Sequence, residues 1–204
     1  MRFSLEPTRI LDFDWECKPG FWIGGDYVTK IVTACASMFV GEETEPVVDV
    51  AVRVGVAGER DRIRMLKRFV KRYNEADVVT GHYIRAFDLP LVNSALIRLG
   101  LEPLGNKMTH DTKLDMVKRS GLSTSQENLG ALFELNHPKV QMNEPLWVSS
   151  IHGQKKALEG LVDRVAGDVL QHVELRAEMM RRGLLGPPRR WTGSSSGTVT
   201  RYHA

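Results

Sequence analysis

Two cysteines in 204 residues, Cys17 and Cys35, are too few and too ill-spaced for a disulfide framework or a thiolate metal site. Long hydrophobic runs are missing too. The longest, near Ile31–Val40, is interrupted by Thr33 and Ser37 and falls short of a bilayer crossing. Met1-Arg2-Phe3 leads straight into Glu6 and Pro7, without the apolar stretch of a secretory leader. There is no internal repeat and no extreme of charge: the net charge is +3, with 26% charged and 42% hydrophobic residues. These absences argue against a disulfide scaffold and a membrane span. They leave a globular domain with a substantial core, expected in a reducing, cytoplasmic setting.

What charge there is, is clustered. Arg60, Arg62, Arg64, Lys67, Arg68, Lys71 and Arg72 crowd one segment, and residues 183–204 hold Arg189, Arg190 and Arg201 but no acid. Such patches suit a polyanionic partner, although a solvated helix face and a loose tail would read the same way.

The pattern of residues predicts strands over Arg9–Trp15, Val28–Val40, Pro46–Val54 and Asp77–Thr80. The first three read as an antiparallel meander, with a turn at Gly41–Glu45 and another region of turn around Gly20 and Gly24-Gly25. Helices are expected over Glu59–Tyr73, Asp88–Leu99, Thr112–Lys118, Ser125–Phe133 and Gly153–Arg182, the last broken near Gly160 or Gly167. Ser125-Gln126-Glu127-Asn128 reads as a capping box with Asn128 imperfect at its final position. Strands followed by alternating helices and strands give an α/β domain with a mixed sheet.

Within the first strand, Ile10-Leu11-Asp12-Phe13-Asp14-Trp15-Glu16 places an acid at every second position, so Asp12, Asp14 and Glu16 share one face. Carboxylates held side by side repel unless a cation lies between them, and hard oxygen ligands suit Mg²⁺ or Mn²⁺.

Three segments together resemble a known family. Asp14-Trp15-Glu16 after an apolar strand is similar to the first motif of the DnaQ-like, DEDD-type 3′–5′ exonucleases. Val79-Thr80-Gly81-His82-Tyr83-Ile84-Arg85-Ala86-Phe87-Asp88-Leu89-Pro90 is similar to the second, in the form found in proofreading domains of family B DNA polymerases. Asp168-Val169, in a late helix, resembles the closing motif. Thr109-His110-Asp111-Thr112 and Glu127-Asn128-Leu129-Gly130 resemble connecting segments, and the likeness covers roughly residues 9–181. It implies an RNase H-like mixed β-sheet flanked by α-helices over residues 1–186, with 187–204 as a flexible basic Gly/Ser-rich tail. It further implies metal-dependent removal of nucleotides from single-stranded or frayed DNA 3′ ends, and a DNA polymerase or other replication protein as a possible partner.

Carried over by the resemblance, Asp14, Glu16, Asp88 and Asp168 would be the catalytic acids and ligands of two Mg²⁺ or Mn²⁺ ions. Tyr83, Phe87 and Arg164 would meet substrate: Tyr83, which departs from the Asn common in the polymerase-type motif, by stacking on a base, Phe87 as a wedge at the terminal nucleotide, Arg164 through a phosphate. Asp12 rivals Asp14 on the same strand face, and the motif prefers Asp14. Asp111 reads as a cap for the helix after it or as a supporting acid. The chain departs from the family before its last Asp. Arg164 stands where Tyr is common and Asp163 where His is common, so neither usual water-orienting group is present. His172 lies one turn beyond Asp168, and His152 is a further candidate base. A binding protein of weak or lost turnover, and an RNA-trimming exonuclease, are the competing expectations.

Overall fold

The computed structural model describes residues 8–18, 21–23, 26–28, 30–53, 55–116, 121–138 and 140–193. Its first strand, β1 (Ile10–Lys18), sets the plan of the molecule. Leu11, Phe13 and Trp15 are buried on one face, and Asp12, Asp14 and Glu16 alternate with them on the other. After a short hairpin of β2 (Phe21–Ile23) and β3 (Asp26–Val28), β4 (Ile31–Phe39) returns antiparallel along β1, and β5 (Val47–Val50) pairs antiparallel with β4.

The chain then crosses by helix α1 (Gly55–Glu75) into β6 (Val78–Gly81), which runs parallel to β1. Helix α2 (Asp88–Arg98) leads to β7 (Lys107–Asp111), parallel to β6, and the short helix α3 (Thr112–Met116) follows. Helices α4 (Gln126–Leu132), α5 (Glu144–Ile151) and α6 (Lys155–Arg181) precede a last edge strand, β8 (Arg189–Trp191). The six-stranded sheet has the order β5-β4-β1-β6-β7-β8, mixed in direction. The fold is α/β, an RNase H-like mixed sheet flanked by helices.

Two apolar clusters sit on opposite sides of the sheet. Leu11, Phe13 and Trp15 pack with Met65, Leu66, Phe69 and Tyr73 of α1 and with Leu89, Val92 and Leu96 of α2. Phe69 meets Phe13 and Trp15 edge-on, at centroid separations of 5.0 and 5.1 Å. On the other side, Ala34, Ala36 and Met38 of β4 pack against Leu161, Val165 and Val169 of α6. Glu16 pairs in register with Ala34, and Asp14 with Ala36. These small neighbours let α6 approach the acidic face of β1 closely.

Several sequence expectations are corrected. The long C-terminal helix runs through Gly160 and Gly167 without a break. The strand expected over Val28–Val40 divides into β3 and β4. Strands β7 and β8 and helix α5 were not foreseen. The tail expected over 187–204 is corrected at its start: Arg189–Trp191 pair antiparallel with Lys107–Thr109 as a sheet strand, and residues 194–204 lie outside the described residues. The turn glycines Gly20, Gly24 and Gly25 also lie outside them. Ser125 caps α4 as foreseen, its hydroxyl accepting from Asn128 N. Asn128 turns to the Ser123 carbonyl instead of completing the box.

Candidate metal centre

Helix α6 carries Arg164, Asp168, His172 and Arg176 at four-residue intervals. Their separation along the helix is about 6 Å, close to the roughly 6.6 Å between alternate residues of a strand. The two spacings match, so α6 lays this row against Glu16, Asp14 and Asp12 as a ladder.

At the outer rung, Arg164 Nε donates to Glu16 Oε1 at 2.5 Å, and its Nη1 donates to the Val140 carbonyl at 2.9 Å. Burial opposes the Arg164 charge, but Glu16, Asp168 and Asp14 outweigh it and hold the guanidinium pKa above its ordinary value. At the inner rung, His172 Nδ1 and Asp12 Oδ2 share a hydrogen bond at 2.6 Å, with both groups buried. Burial pushes Asp12 up, against the pull of His172 and Arg176. The middle rung is unlike the others, because acid meets acid there. One oxygen each from Asp14, Glu16 and Asp168 lie within 4.8 Å of one another. This is a hard, all-carboxylate donor set, which fits Mg²⁺ or Mn²⁺.

Asp88 lies outside that group of three but closes the same corner of the fold. Strand β6 pairs with β1 only as far as Asp12 opposite Thr80. Beyond that point the Trp15 amide donates to Asp88 Oδ1 at 3.3 Å. Gly81 makes the crossing possible, since a Cβ there would stand 2.8 Å from the Phe13 carbonyl oxygen and 2.3 Å from Ile84 Cγ2. Asp88 therefore reaches across to the sheet and does not cap α2, whose N-cap position is Phe87. Burial raises the Asp88 pKa to about 7; the Trp15 amide works against the shift, and the nearby Glu16 and Asp111 charges add to it.

The loop between Gly81 and Asp88 is pinned from below. The buried Asp111 accepts from the amides of Tyr83 and Arg85, both at 3.0 Å, and from Leu114 N at 3.1 Å. It thus caps α3, as expected, and also shapes the loop. Tyr83 is held at φ +74°, in a region disfavoured for a side chain of its size, with its ring exposed beneath Lys113 Nζ at 4.1 Å from the ring centroid. Phe87 is half-buried against the α1–α2 cluster, with Lys30 Nζ 4.3 Å from its ring centroid.

A second row of hydrogen bonds runs from the ladder toward the surface. His172 Nε2 bonds Thr112 Oγ1 at 2.9 Å, Thr112 Oγ1 bonds His82 Nδ1 at 3.0 Å, and His82 Nε2 donates to the Thr124 carbonyl at 2.9 Å.

The structure thus brings Asp14, Glu16 and Asp168 together, with Asp88 and Arg164 beside them. It pairs Asp12 with His172. His152 is exposed at the C-cap of α5. The sequence reading missed the role of His172, although its spacing from Asp168 carried the signal.

No model of a known protein family matches this sequence, and no curated protein matches it. Among solved structures the chain is similar to the family B DNA polymerase from the hyperthermophilic archaeon Pyrobaculum calidifontis, with a TM-score of 0.67 and 17% sequence identity. The match covers 88% of this chain and 25% of that one, so this chain spans about a quarter of the polymerase's length. At that identity the likeness shows the fold alone.

Proposed function

We propose that the chain is a metal-dependent 3′–5′ exonuclease that hydrolyses terminal phosphodiester bonds of single-stranded or frayed DNA. The observation that carries this reading is the meeting of Asp14, Glu16 and Asp168 at one end of β1. Two sheet directions part there, the usual place for a site in an open α/β fold. The fold's likeness to part of a DNA polymerase supports it. The 3′–5′ polarity rests on the motif resemblance.

Asp14, Glu16 and Asp168 would hold Mg²⁺ or Mn²⁺, which, when bound, lowers the pKa of water and offsets charge on the scissile phosphate. Asp88, held beside Asp14 and Glu16 by the Trp15 amide, would be the fourth acid of the centre. Tyr83 presents an exposed aromatic face on a fixed loop, suited to stacking on a base. Phe87 would support the terminal nucleotide from the edge of the core. Arg189 and Arg190, both exposed, and the exposed cations of α1 would add nonspecific attraction. A DNA polymerase is the natural partner, and the cytoplasm the compartment; among the described residues no helix is long and apolar enough to cross a membrane.

Arg164 favours a second reading, a nucleic-acid-binding protein with little turnover, because an arginine cannot take a proton from water. Digestion of 3′- and 5′-labelled single-stranded DNA and RNA with Mg²⁺ or Mn²⁺, beside Asp14→Ala, separates the readings. Loss of the 3′ label in wild type alone supports the exonuclease, and preference for RNA moves the substrate class. Tight DNA binding with no product selects the second reading.

A further inference from the structure

We propose that Tyr83 and Lys113 form a single subsite for one nucleotide of a single strand, base on the ring and phosphate on the ammonium, and that the buried Asp111 is the positioning residue that assembles it. The proposal rests on the nuclease reading above and extends the contact at Tyr83 to two residues not otherwise placed at substrate.

Asp111 ends β7 and Gly81 ends β6, paired in register at one edge of the sheet. From there the chain leaves by two routes, the loop that carries Tyr83 and the helix α3 that carries Lys113. One carboxylate governs both. Asp111 Oδ1 accepts from Tyr83 N at 3.0 Å and from Leu114 N at 3.1 Å. The same oxygen thus fixes the backbone under the ring and the backbone beside the lysine. Its Oδ2 accepts from Arg85 N at 3.0 Å, two residues further along the loop. The loop closes by one turn, Phe87 N donating to the Tyr83 carbonyl at 3.0 Å. Ring and ammonium are thereby brought together, with Nζ 4.1 Å from the ring centroid.

These two side chains are available where their neighbours are not. Asp111 is fully buried, and the Arg85 guanidinium is committed to Asp111 and Asp115 at 3.7 and 3.6 Å. Tyr83 is 36% exposed, and among the described residues Lys113 is in no ion pair. Tyr83 also sits at φ +74°, where glycine is the unstrained choice, so the ring is kept against backbone strain. An exposed aromatic with an ammonium beside it suits a base and a phosphate together. Stacking accepts any base, and the ammonium meets a charge that every nucleotide carries. The loop that holds the ring runs on to Asp88, whose Oδ1 accepts from the Trp15 amide, so the subsite and the acidic corner share one short loop.

The test is fluorescence anisotropy of a labelled oligothymidylate with the whole chain in EDTA, where nothing is hydrolysed, repeated across salt concentrations. Tyr83→Leu is expected to weaken binding by about tenfold or more. Lys113→Gln is expected to lower the slope of log affinity against log salt by about 0.7. Asp111→Asn, which loses one of the two acceptor oxygens, should weaken binding by itself and add nothing in the Tyr83→Leu/Lys113→Gln background. Wild-type affinity in Tyr83→Leu, or an unchanged slope in Lys113→Gln, overturns the subsite. Neither side chain is buried, so these two variants decide the matter even where Asp111→Asn fails to fold. A further loss from Asp111→Asn in the double background overturns its positioning role. Release of the 3′ label beside any of these failures keeps the nuclease reading and discards the inference. Wild type that binds no oligothymidylate also overturns the inference; where it releases no 3′ label either, the nuclease reading falls with it.

Discussion

The two faces of β1 are built on opposite principles. Leu11, Phe13 and Trp15 sit in an apolar layer, each no more than 2% exposed, and any side chain of similar size and polarity would serve there. Asp12, Asp14 and Glu16, displaced by single residues along the same strand, each depend on a particular partner from α6. The first face stabilises the fold through area removed from water. The second costs desolvation, which Arg164 at Glu16 and His172 at Asp12 offset. One strand thus divides stability from chemistry by nothing more than the pleat.

The largest way to break this comparison is on the apolar face. Phe13→Ala, which empties a site packed against Phe69, is expected to cost about 4 kcal/mol in urea denaturation. A cost under about 1 kcal/mol would mean that the α1 layer is not what holds the sheet.

On the polar face, His172→Leu strands Asp12 in the interior and should cost about 3 kcal/mol. The double variant Asp12→Leu/His172→Leu should regain much of that loss, since neither charge remains to be desolvated. A double variant as unstable as the sum of its singles would show that the pair acts through packing alone.

Asp88 offers a gentler probe. Its pKa stands near 7 in the fold, against an ordinary 3.8. Between those values the folded form keeps a proton that the unfolded chain releases. Metal-free stability is therefore expected to decline as pH rises from about 4 to 7, by at most about 1.4 kcal/mol per unit from this group. Asp88→Asn keeps the acceptor for Trp15 N and should flatten that slope in denaturation curves taken across the window. An unchanged slope would place the proton elsewhere.

The smallest effect belongs to charges away from the ladder. Arg64 pairs with Asp61 at 3.6 Å and Lys71 with Glu75 at 4.0 Å, with both cations more than two-thirds exposed. Neutralising Arg64, Lys67 and Lys71 together should change stability by no more than about 1 kcal/mol. Under the proposed function, it should weaken DNA binding and flatten its salt dependence. A salt slope equal to wild type would make α1 a solvated face only.

Local signals made some of this legible beforehand. The alternation in 10–16, Gly81 before the loop, the Ser125 cap and the amphipathic stretch around Arg60–Tyr73 all act within a few residues, and the elements they announce are present. Strand β7 escaped notice because Thr109 and Asp111, both fully buried, are polar; they are satisfied by Arg189 O and by the 83–85 amides, which a linear pattern does not show. Strand β8 has no β-branched residue and exists only through its pairing with β7. Helix α5 did carry a signal in its Asn143 cap and Pro145, and its short length hid it.

Sequence by itself determined which residues could share a face: acids two apart on β1, and Arg164, Asp168, His172 and Arg176 four apart on a helix. Those periods follow from backbone geometry within each element. Tertiary structure alone decided that the two rows meet, in a register that gives Asp12 to His172, Glu16 to Arg164, and Asp14 to another acid. That choice depends on Ala34 and Ala36 admitting α6 close to β1 and on apolar packing setting its height along the strand. Contacts between residues some 150 positions apart are selected by the whole core, and no local pattern encodes them.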